Sequence, residues 1–203
     1  MTTLTKAAIN GLLERDKDPL IITPILSKGQ IGEASIDVRL GNQFIVFKSH
    51  RFQLFSSAVD SRVGPHRIQD RQIVAFGGDP FILQPGTLAL GSTLEYVSIP
   101  GDVEVQVEGR SSWARIGLQI ATANSVEPGF KGVVTLELSN VSGIALEIRP
   151  GVRIAQLVFH KASPPVDNPY AGARKYRYPV GPQFSRVFED YDLKIFNSSN
   201  QKL

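Results

Sequence analysis

The sequence contains no cysteine, and this absence excludes several kinds of chemistry. Disulfides, thiolate nucleophiles and cysteine-bound zinc are all ruled out. The chain also has no apolar run of 18 residues, so we expect no transmembrane helix and no membrane partner. Its N-terminus lacks the charged and then apolar pattern of a secretion signal. A reducing cytoplasm is therefore the expected location.

The chain also lacks a large excess of either positive or negative charge. The chain has 22 Lys and Arg against 19 Asp and Glu, a net charge of +3. This mild positive bias suits an anionic small molecule, but it is too weak to predict binding to nucleic acid.

The remaining sequence predicts one domain over residues 1–203, because 203 residues with 42% hydrophobic content suit a single core. Helical periodicity indicates a short N-terminal helix over residues 1–16. Short alternating segments then follow, separated by four Pro-Gly pairs, which favours a β barrel, sandwich or jelly roll. Residues 164–192, hereafter the tail, are rich in Pro, Gly, Tyr and basic residues and are predicted to form a lid.

Residues 109–118 read GRSSWARIGL and allow two interpretations. Ser111 or Ser112 could cap a short helix near Trp113, where free N–H groups and Arg110 would favour a phosphate. The same pattern is also typical of a capped turn with surface arginines, and it lacks the spacing of a Walker loop.

Residues 133–140 read VVTLELSN, in which alternation places Glu137 with Thr135 and Ser139 on the polar face. Glu137 is thus either a solvated carboxylate or, if enclosed, a general base. Glu127 directly precedes a Pro-Gly turn, where carboxylates are usually solvated. Residues 120–125, IATANS, could present backbone groups to a flat base or form a plain loop.

Several of these stretches, in this order, resemble the dCTP deaminases of the trimeric dUTPase superfamily. They are ASIDVRLGNQF, LQPGTLALGSTLEYVSIP, GRSSWARIGL, VEPGFKGVVTLELSN, RPGVRIAQLVF and a tail with NPY, KYR and GPQFSR. The resemblance implies a distorted dUTPase-type jelly roll or β barrel that assembles as a homotrimer with sites between subunits. It also implies zinc-independent deamination of dCTP to dUTP, Mg²⁺ carried by the triphosphate, and dTTP as an inhibitor.

The resemblance assigns roles to individual residues. Glu137 matches the catalytic general base, supported by Arg115 and Ser111. The implied nucleotide-binding residues are Arg110, Ser111, Ser112, Arg115, Thr122, Ala123, Glu127, Thr135, Leu136, Gln156, Tyr170 and Lys175. No residue is implied as a direct metal ligand.

The chain departs from the family pattern in three places. Glu127 stands where relatives usually have aspartate, the hairpin at residues 117–125 is one residue shorter, and Pro179 replaces a common glutamine. Two alternatives therefore stay open beside the deaminase. One is a dUTP diphosphatase or an enzyme with both activities, and the other is a nucleotide-binding regulator without turnover.

Overall fold

The computed structural model describes residues 2–48, 68–120, 125–167, 169–170, 174–193 and 195, and this part of the chain is mainly β. Its strands are β1 Thr2–Thr3, β2 Ile21–Thr23, β3 Ser35–Arg39, β4 Gln43–Phe47, β5 Gln69–Ile73, β6 Phe81–Leu83, β7 Leu88–Ser98, β8 Val103–Gly109, β9 Leu118–Ile120, β10 Ser125–Val126, β11 Lys131–Asn140, β12 Leu146–Ile148 and β13 Arg153–Lys161. The helices are α1 Lys6–Leu13, α2 Ser111–Ala114 and 3-10 turns at Lys28–Gln30 and Val187–Glu189. The predicted mainly β fold with a short N-terminal helix is confirmed.

The strands form antiparallel sheets rather than a closed barrel. In one sheet the order is β1-β13-β8-β10, with β3 also paired to β13. In the other it is β5-β4-β7-β11-β9, with β2 also paired to β7. Strands β6 and β12 pair separately. The centre of the second sheet, where β7 lies against β11, carries Glu137.

Both large sheets contribute to one hydrophobic core, which explains their alternating sequences. Val105 and Phe159 come from the first sheet, while Leu136 and Leu138 come from the second. Phe44 and Phe81 stack with their ring centroids 4.0 Å apart. Because alternate residues point inwards, the polar residues between them are left on the outer faces of the strands.

The N-terminal helix is shorter than the predicted residues 1–16. Thr2 and Thr3 pair instead with Lys161 and His160 of β13. The helix ends at Leu13, and its buried residue is Ile9. Strand pairing thus takes the first residues out of the helix, and the single-domain boundaries stay a prediction.

The four Pro-Gly pairs lie between consecutive strands, as their turn chemistry predicts. Three of the four glycines, Gly86, Gly129 and Gly151, have φ values between +67° and +89°. Glycine adopts such values without the steric cost that other residues meet, so these pairs fix where the strands end.

Candidate active site

A cavity of about 480 Å³ opens on the outer face of β7 and β11 and contains Glu137. Its wall includes apolar residues of the sheets, the turn after β10 and part of the tail. The lining residues used below are Gln69, Glu127, Phe130, Val133, Val134, Thr135, Glu137, Tyr170, Tyr176, Pro179 and Gln183. We refer to this space as the Glu137 cavity.

Glu137 is the carboxylate best placed for chemistry in this cavity. It lies in the centre of β11, opposite Leu90 of β7, and its side chain is half-buried. Burial raises the pKa of the Glu137 carboxyl above its ordinary value. No described residue forms a hydrogen bond or an ion pair with this carboxylate, so it is available to a ligand or a water molecule. A carboxylate with a raised pKa is a stronger base than a solvated one.

Glu127 faces the same cavity from the turn before β11. Its carboxylate pairs with the Arg174 guanidinium of the tail, at 3.3 Å between Oε2 and Nη2. Both side chains are about half exposed, so the pair adds little stability and can exchange for a ligand. Glu127 therefore lies in the same cavity as Glu137, and its role in binding the nucleotide stays a prediction.

The tail covers the cavity and is anchored to β11 by backbone groups. The Val133 N–H donates to the Pro179 carbonyl over 2.8 Å, and the Gln183 N–H donates to the Thr135 hydroxyl over 3.3 Å. Pro179 is buried, which is unusual for a residue in a basic surface segment. Part of the tail thus lies over the cavity, and its role as a lid stays a prediction.

Tyr170 helps to fix the fold of the tail. Its hydroxyl donates to the carbonyl of Tyr176 over 2.9 Å, and its ring lies 5.6 Å from the ring of Phe130. Lys175 has a different environment, because its ammonium forms an ion pair with Asp190. Within one chain, Tyr170 thus lines the cavity whereas Lys175 is directed to another part of the tail.

The predicted phosphate motif forms a separate site, the arginine turn (residues 110–115). Arg110 lies 3.6 Å from the carboxylate of Asp37 and donates to the Arg153 carbonyl over 3.3 Å. The Arg153 guanidinium is 3.1 Å from the same Asp37 carboxylate. Trp113 donates its indole N–H to the Arg153 carbonyl, at 3.1 Å. Two guanidinium groups therefore converge on one carboxylate at the start of α2.

The prediction that Ser111 or Ser112 caps this helix was wrong. Helix α2 begins at Ser111, its N-cap is Arg110, and no side chain caps it. Both serines lie in the first turn and are exposed, as is Arg115, which ends the helix. Their hydroxyls do not cap the helix, and their exposure leaves them accessible to a ligand.

Among the described residues, none of the arginine turn lines the Glu137 cavity of its own chain. Within one chain Arg115 therefore lies outside the Glu137 cavity, and the support of Glu137 by Arg115 and Ser111 stays a prediction for a site between subunits. Gln156 belongs with the arginine turn, because it pairs with Asp37 of β3 and accepts a hydrogen bond from Ser35 at 3.3 Å.

The side chain of Leu136, implied as a nucleotide-binding residue, does not reach the cavity. Its side chain is 0% exposed in the hydrophobic core, on the opposite face from Glu137. Only its backbone could contact a nucleotide, because the side chain of a strand residue points to one face. Thr122 and Ala123 lie outside the described residues.

Sequence reasoning assigned no role to several residues that the fold brings to these sites. Asp37 and Arg153 lie in quoted stretches of the sequence, and Tyr176 and Gln183 lie in the KYR and GPQFSR stretches of the tail. The amide oxygen of Gln69 is buried in the cavity wall and has no hydrogen-bond partner among the described residues. A buried acceptor of this kind is costly unless a ligand or water donates to it.

The described residues contain no group of three His, Cys, Asp or Glu side chains suited to a metal ion. A search of the same residues finds no helix with the length and apolar content needed to cross a membrane.

Similarity to known proteins shows the family to which the chain belongs. Residues 3–162 match the family model described as dCTP deaminase-like. The chain is 36% identical over 198 residues to a Methanobrevibacter smithii protein, covering 96% of this chain and 100% of that protein. It is 42% identical to a Halobacterium salinarum protein, covering 81% and 84% of the two chains. Both are named "dCTP deaminase, dUMP-forming". The chain therefore belongs to the dCTP deaminase-like family.

A solved structure supports the fold independently. The crystal structure of 2'-deoxycytidine 5'-triphosphate deaminase from Agrobacterium tumefaciens matches with a TM-score of 0.59 at 20% identity. The match covers 79% of this chain and 46% of that chain, so this chain spans about half of the solved one. At this identity the likeness concerns the fold alone.

Proposed function

We propose that this protein hydrolytically deaminates dCTP, with Glu137 as the general base. The observation that carries the proposal is an unpaired, half-buried carboxylate with a raised pKa inside a cavity under the tail. Glu137 would accept a proton from a water that attacks C4 of cytosine and would return a proton to the departing ammonia. General acid–base catalysis of this kind contributes about 10² to 10⁴ in rate, so positioning must supply the rest. The reaction is thus a C–N bond hydrolysis that uses no zinc.

We propose further that the nucleotide product is dUMP rather than dUTP. The observation that favours this is the name shared by the two relatives above, dCTP deaminase, dUMP-forming. A second water would then attack the α-phosphorus of the dUTP formed, the bond from this phosphorus to the α–β bridging oxygen would break, and pyrophosphate would leave as dUMP forms. Glu127 is a second carboxylate in the cavity that could orient this water. The sequence analysis predicted dUTP as the product. We propose instead the alternative in which one enzyme both deaminates dCTP and releases pyrophosphate.

The phosphate end of the substrate would be held by the arginine turn of another subunit. Arg110, Ser111, Ser112 and Arg115 do not line the Glu137 cavity of their own chain, so a complete site needs a second copy. A homotrimer with sites between subunits meets this need. Arginine suits the role because its guanidinium donates two parallel hydrogen bonds to phosphate oxygens.

Magnesium would accompany the triphosphate and neutralise its oxygens. Asp37, the carboxylate at the arginine turn, already pairs with Arg110 and Arg153, so the ion would be held by the phosphate oxygens rather than by this side chain. Inhibition by dTTP and a cytoplasmic location stay predictions.

The test measures ammonia and pyrophosphate side by side, from dCTP and separately from dUTP. We expect both products from dCTP. Glu137→Gln should abolish ammonia release while nucleotide still binds. Glu147→Gln is the matched control. Glu147 is exposed, lies on β12 rather than β11, and pairs with Arg149. Ammonia release from Glu137→Gln at the normal rate would refute the assignment of the base, and ammonia without pyrophosphate would refute dUMP formation.

A further inference from the structure

The ladder between β7 and β11 is interrupted beside the Glu137 cavity. Val133 pairs with Tyr96, but the next pair is Thr135 with Ser92. Residues 93–95 of β7 therefore face the single residue Val134 of β11. A bulge of this kind bends the strand, increases its local twist and changes the direction of nearby side chains.

The bulge removes the ordinary hydrogen-bond partner of Val134, and a side chain replaces it. The Val134 N–H donates to the Thr93 hydroxyl oxygen over 2.9 Å. Thr93 is 1% exposed, so water does not compete for this bond. The same hydroxyl donates to the Glu95 carbonyl over 2.7 Å, which fixes its orientation.

A buried polar cluster holds the other end of the bulge. The Glu95 side chain is fully buried and accepts hydrogen bonds from the Gln30 amide and the Arg39 N–H, both at 2.8 Å. The Arg39 guanidinium lies 3.6 Å from the same carboxylate. Residues 93–95 are thus tied to β3 and to the turn before it, and cannot slide freely along β11.

We propose that Thr93 is a positioning residue for Glu137. Its hydroxyl fixes the one irregular point of the β7–β11 ladder, from which Thr135 and Glu137 extend into the cavity on the next two outward positions. Thr93 does not touch the cavity. It acts through the Val134 backbone, so its loss changes the direction of the Glu137 carboxylate rather than the binding surface. The proposal rests on the proposed function, because it takes Glu137 as the base.

The test compares Thr93→Val with Thr93→Ser. Valine keeps the shape of threonine but cannot accept the Val134 hydrogen bond, whereas serine can. For ammonia release from dCTP, we expect Thr93→Val to lower kcat by about 10- to 100-fold, because displacing a catalytic group by about 1 Å costs up to that much. We expect KM to change by less than about threefold, since the arginine turn that would hold the phosphates lies away from the bulge and is unchanged. Thr93→Ser should restore kcat to within about threefold of the wild type.

Thr87→Val is the matched control. The Thr87 hydroxyl donates to the Gln84 carbonyl over 2.7 Å in the exposed turn before β7, away from the bulge. This variant should keep wild-type kinetics. Rates are expressed per folded chain, with the folded fraction taken from thermal unfolding.

The pH profile separates a positioning role from a purely structural one. A displaced Glu137 gains solvent, so the acid limb of kcat/KM should move to lower pH in Thr93→Val and stay in place in Thr87→Val. The other titratable groups in the cavity wall are Glu127, Tyr170 and Tyr176. An unchanged limb with unchanged kcat in folded Thr93→Val would overturn the proposal.

Thr93→Cys serves if the valine variant does not fold. Its thiol is a weak acceptor, so kcat should fall by about three- to tenfold at constant KM, and an unchanged kcat would overturn the proposal. Glu137→Gln distinguishes the two levels of inference. If Glu137→Gln is inactive and Thr93→Val is fully active, only the role of Thr93 fails. If Glu137→Gln is active, the proposed function fails in its choice of base.

Discussion

The backbone N–H of Val133 donates to the carbonyl of Pro179 over 2.8 Å, and this bond joins β11 to the tail. It lies two residues before Thr135, whose hydroxyl accepts the N–H of Gln183. Strand β11, which contains Glu137, is therefore also the strand to which the tail is bonded. Because closure of a lid excludes water and completes a site, this attachment should influence turnover.

Gly132 makes the close approach of the tail possible. Its φ is +146°, and a Cβ at this position would lie 2.3 Å from Cδ of Pro179. Gly132→Ala should therefore strain the backbone by about 1–3 kcal/mol and displace the tail. We expect kcat/KM for dCTP to fall at least about tenfold and proteolysis of the tail to become faster.

Gly143→Ala is the control for this change, because a Cβ there meets nothing within 4 Å and the φ of Gly143 is ordinary. It should keep wild-type activity and proteolysis. Normal kcat/KM in Gly132→Ala would show that the tail does not close the cavity during turnover.

The sequence predicts much of this region, but it does not predict the bulge. Alternation correctly places Thr135 and Glu137 on one face of β11, and the Pro-Gly pairs correctly mark the turns. Residues 88–98 read as one regular strand, because nothing local marks the interruption at Thr93. Glu95 resembles a residue of a polar face, yet it is 0% exposed. Its partners Gln30 and Arg39 are more than 50 residues away in sequence, so only the fold brings them together.

The same distinction applies to the arginine turn. The residue types predict an anion site, because two arginines and two serines lie within six residues. The cap was assigned wrongly because Arg110, rather than a serine, precedes the helix. The convergence of Arg110 and Arg153 on Asp37 depends on the pairing of β13 with β3 and β8, which no local pattern encodes.

The raised pKa of Glu137 predicts opposite pH effects on activity and stability. The base is active only when ionised, so kcat/KM should rise with pH through a pKa above the usual 4.5. Folding favours the protonated form of a carboxyl whose folded pKa is raised, so the free energy of unfolding should fall as pH rises above about 4.5. Glu137→Gln removes this cost.

Denaturant unfolding of the two proteins checks the effect on stability. Glu137→Gln should be more stable than the wild type at about pH 8, and the difference should vanish near pH 4. Glu147→Gln should show no such gain, because the Glu147 side chain is 56% exposed. A variant that is equally stable at both pH values would contradict the raised pKa.

Asp102 has the opposite linkage, because its charged form is stabilised. Arg15 donates to both of its oxygens, at 3.0 and 3.1 Å, and Lys161 lies at 2.5 Å. The Arg15 hydrogen bonds, with Lys161, lower the pKa of Asp102 to about 2. Its stabilisation is therefore complete above the unfolded pKa near 3.8 and is lost as pH falls toward 2.

Asp102→Asn should cost about 1–2 kcal/mol of unfolding free energy at neutral pH, after allowance for the partial exposure of Arg15 and Lys161. The deficit should shrink as the pH of the unfolding experiment is lowered below about 4. Asp16→Asn is the control, because Asp16 is exposed and forms no ion pair with the described residues, and the expected change is below about 0.5 kcal/mol. A deficit that stays constant down to acid pH would show that Asp102 acts through packing rather than charge.

Glu137 lines the cavity of its own chain and Arg115 does not, so mixed variants can test whether active sites are shared between subunits. Glu137→Gln and Arg115→Ala should each be nearly inactive alone. When the two variants are co-expressed and assemble together, some sites combine the intact Glu137 of one chain with the intact Arg115 of another. Random assembly makes this about a quarter of the sites, so ammonia release should return to about a quarter of the wild-type rate. Mixing the purified variants without exchange of subunits is the control and should give no activity. Failure of the co-assembled protein to recover would indicate that Arg115 and Glu137 act within one chain, after a rearrangement of the arginine turn.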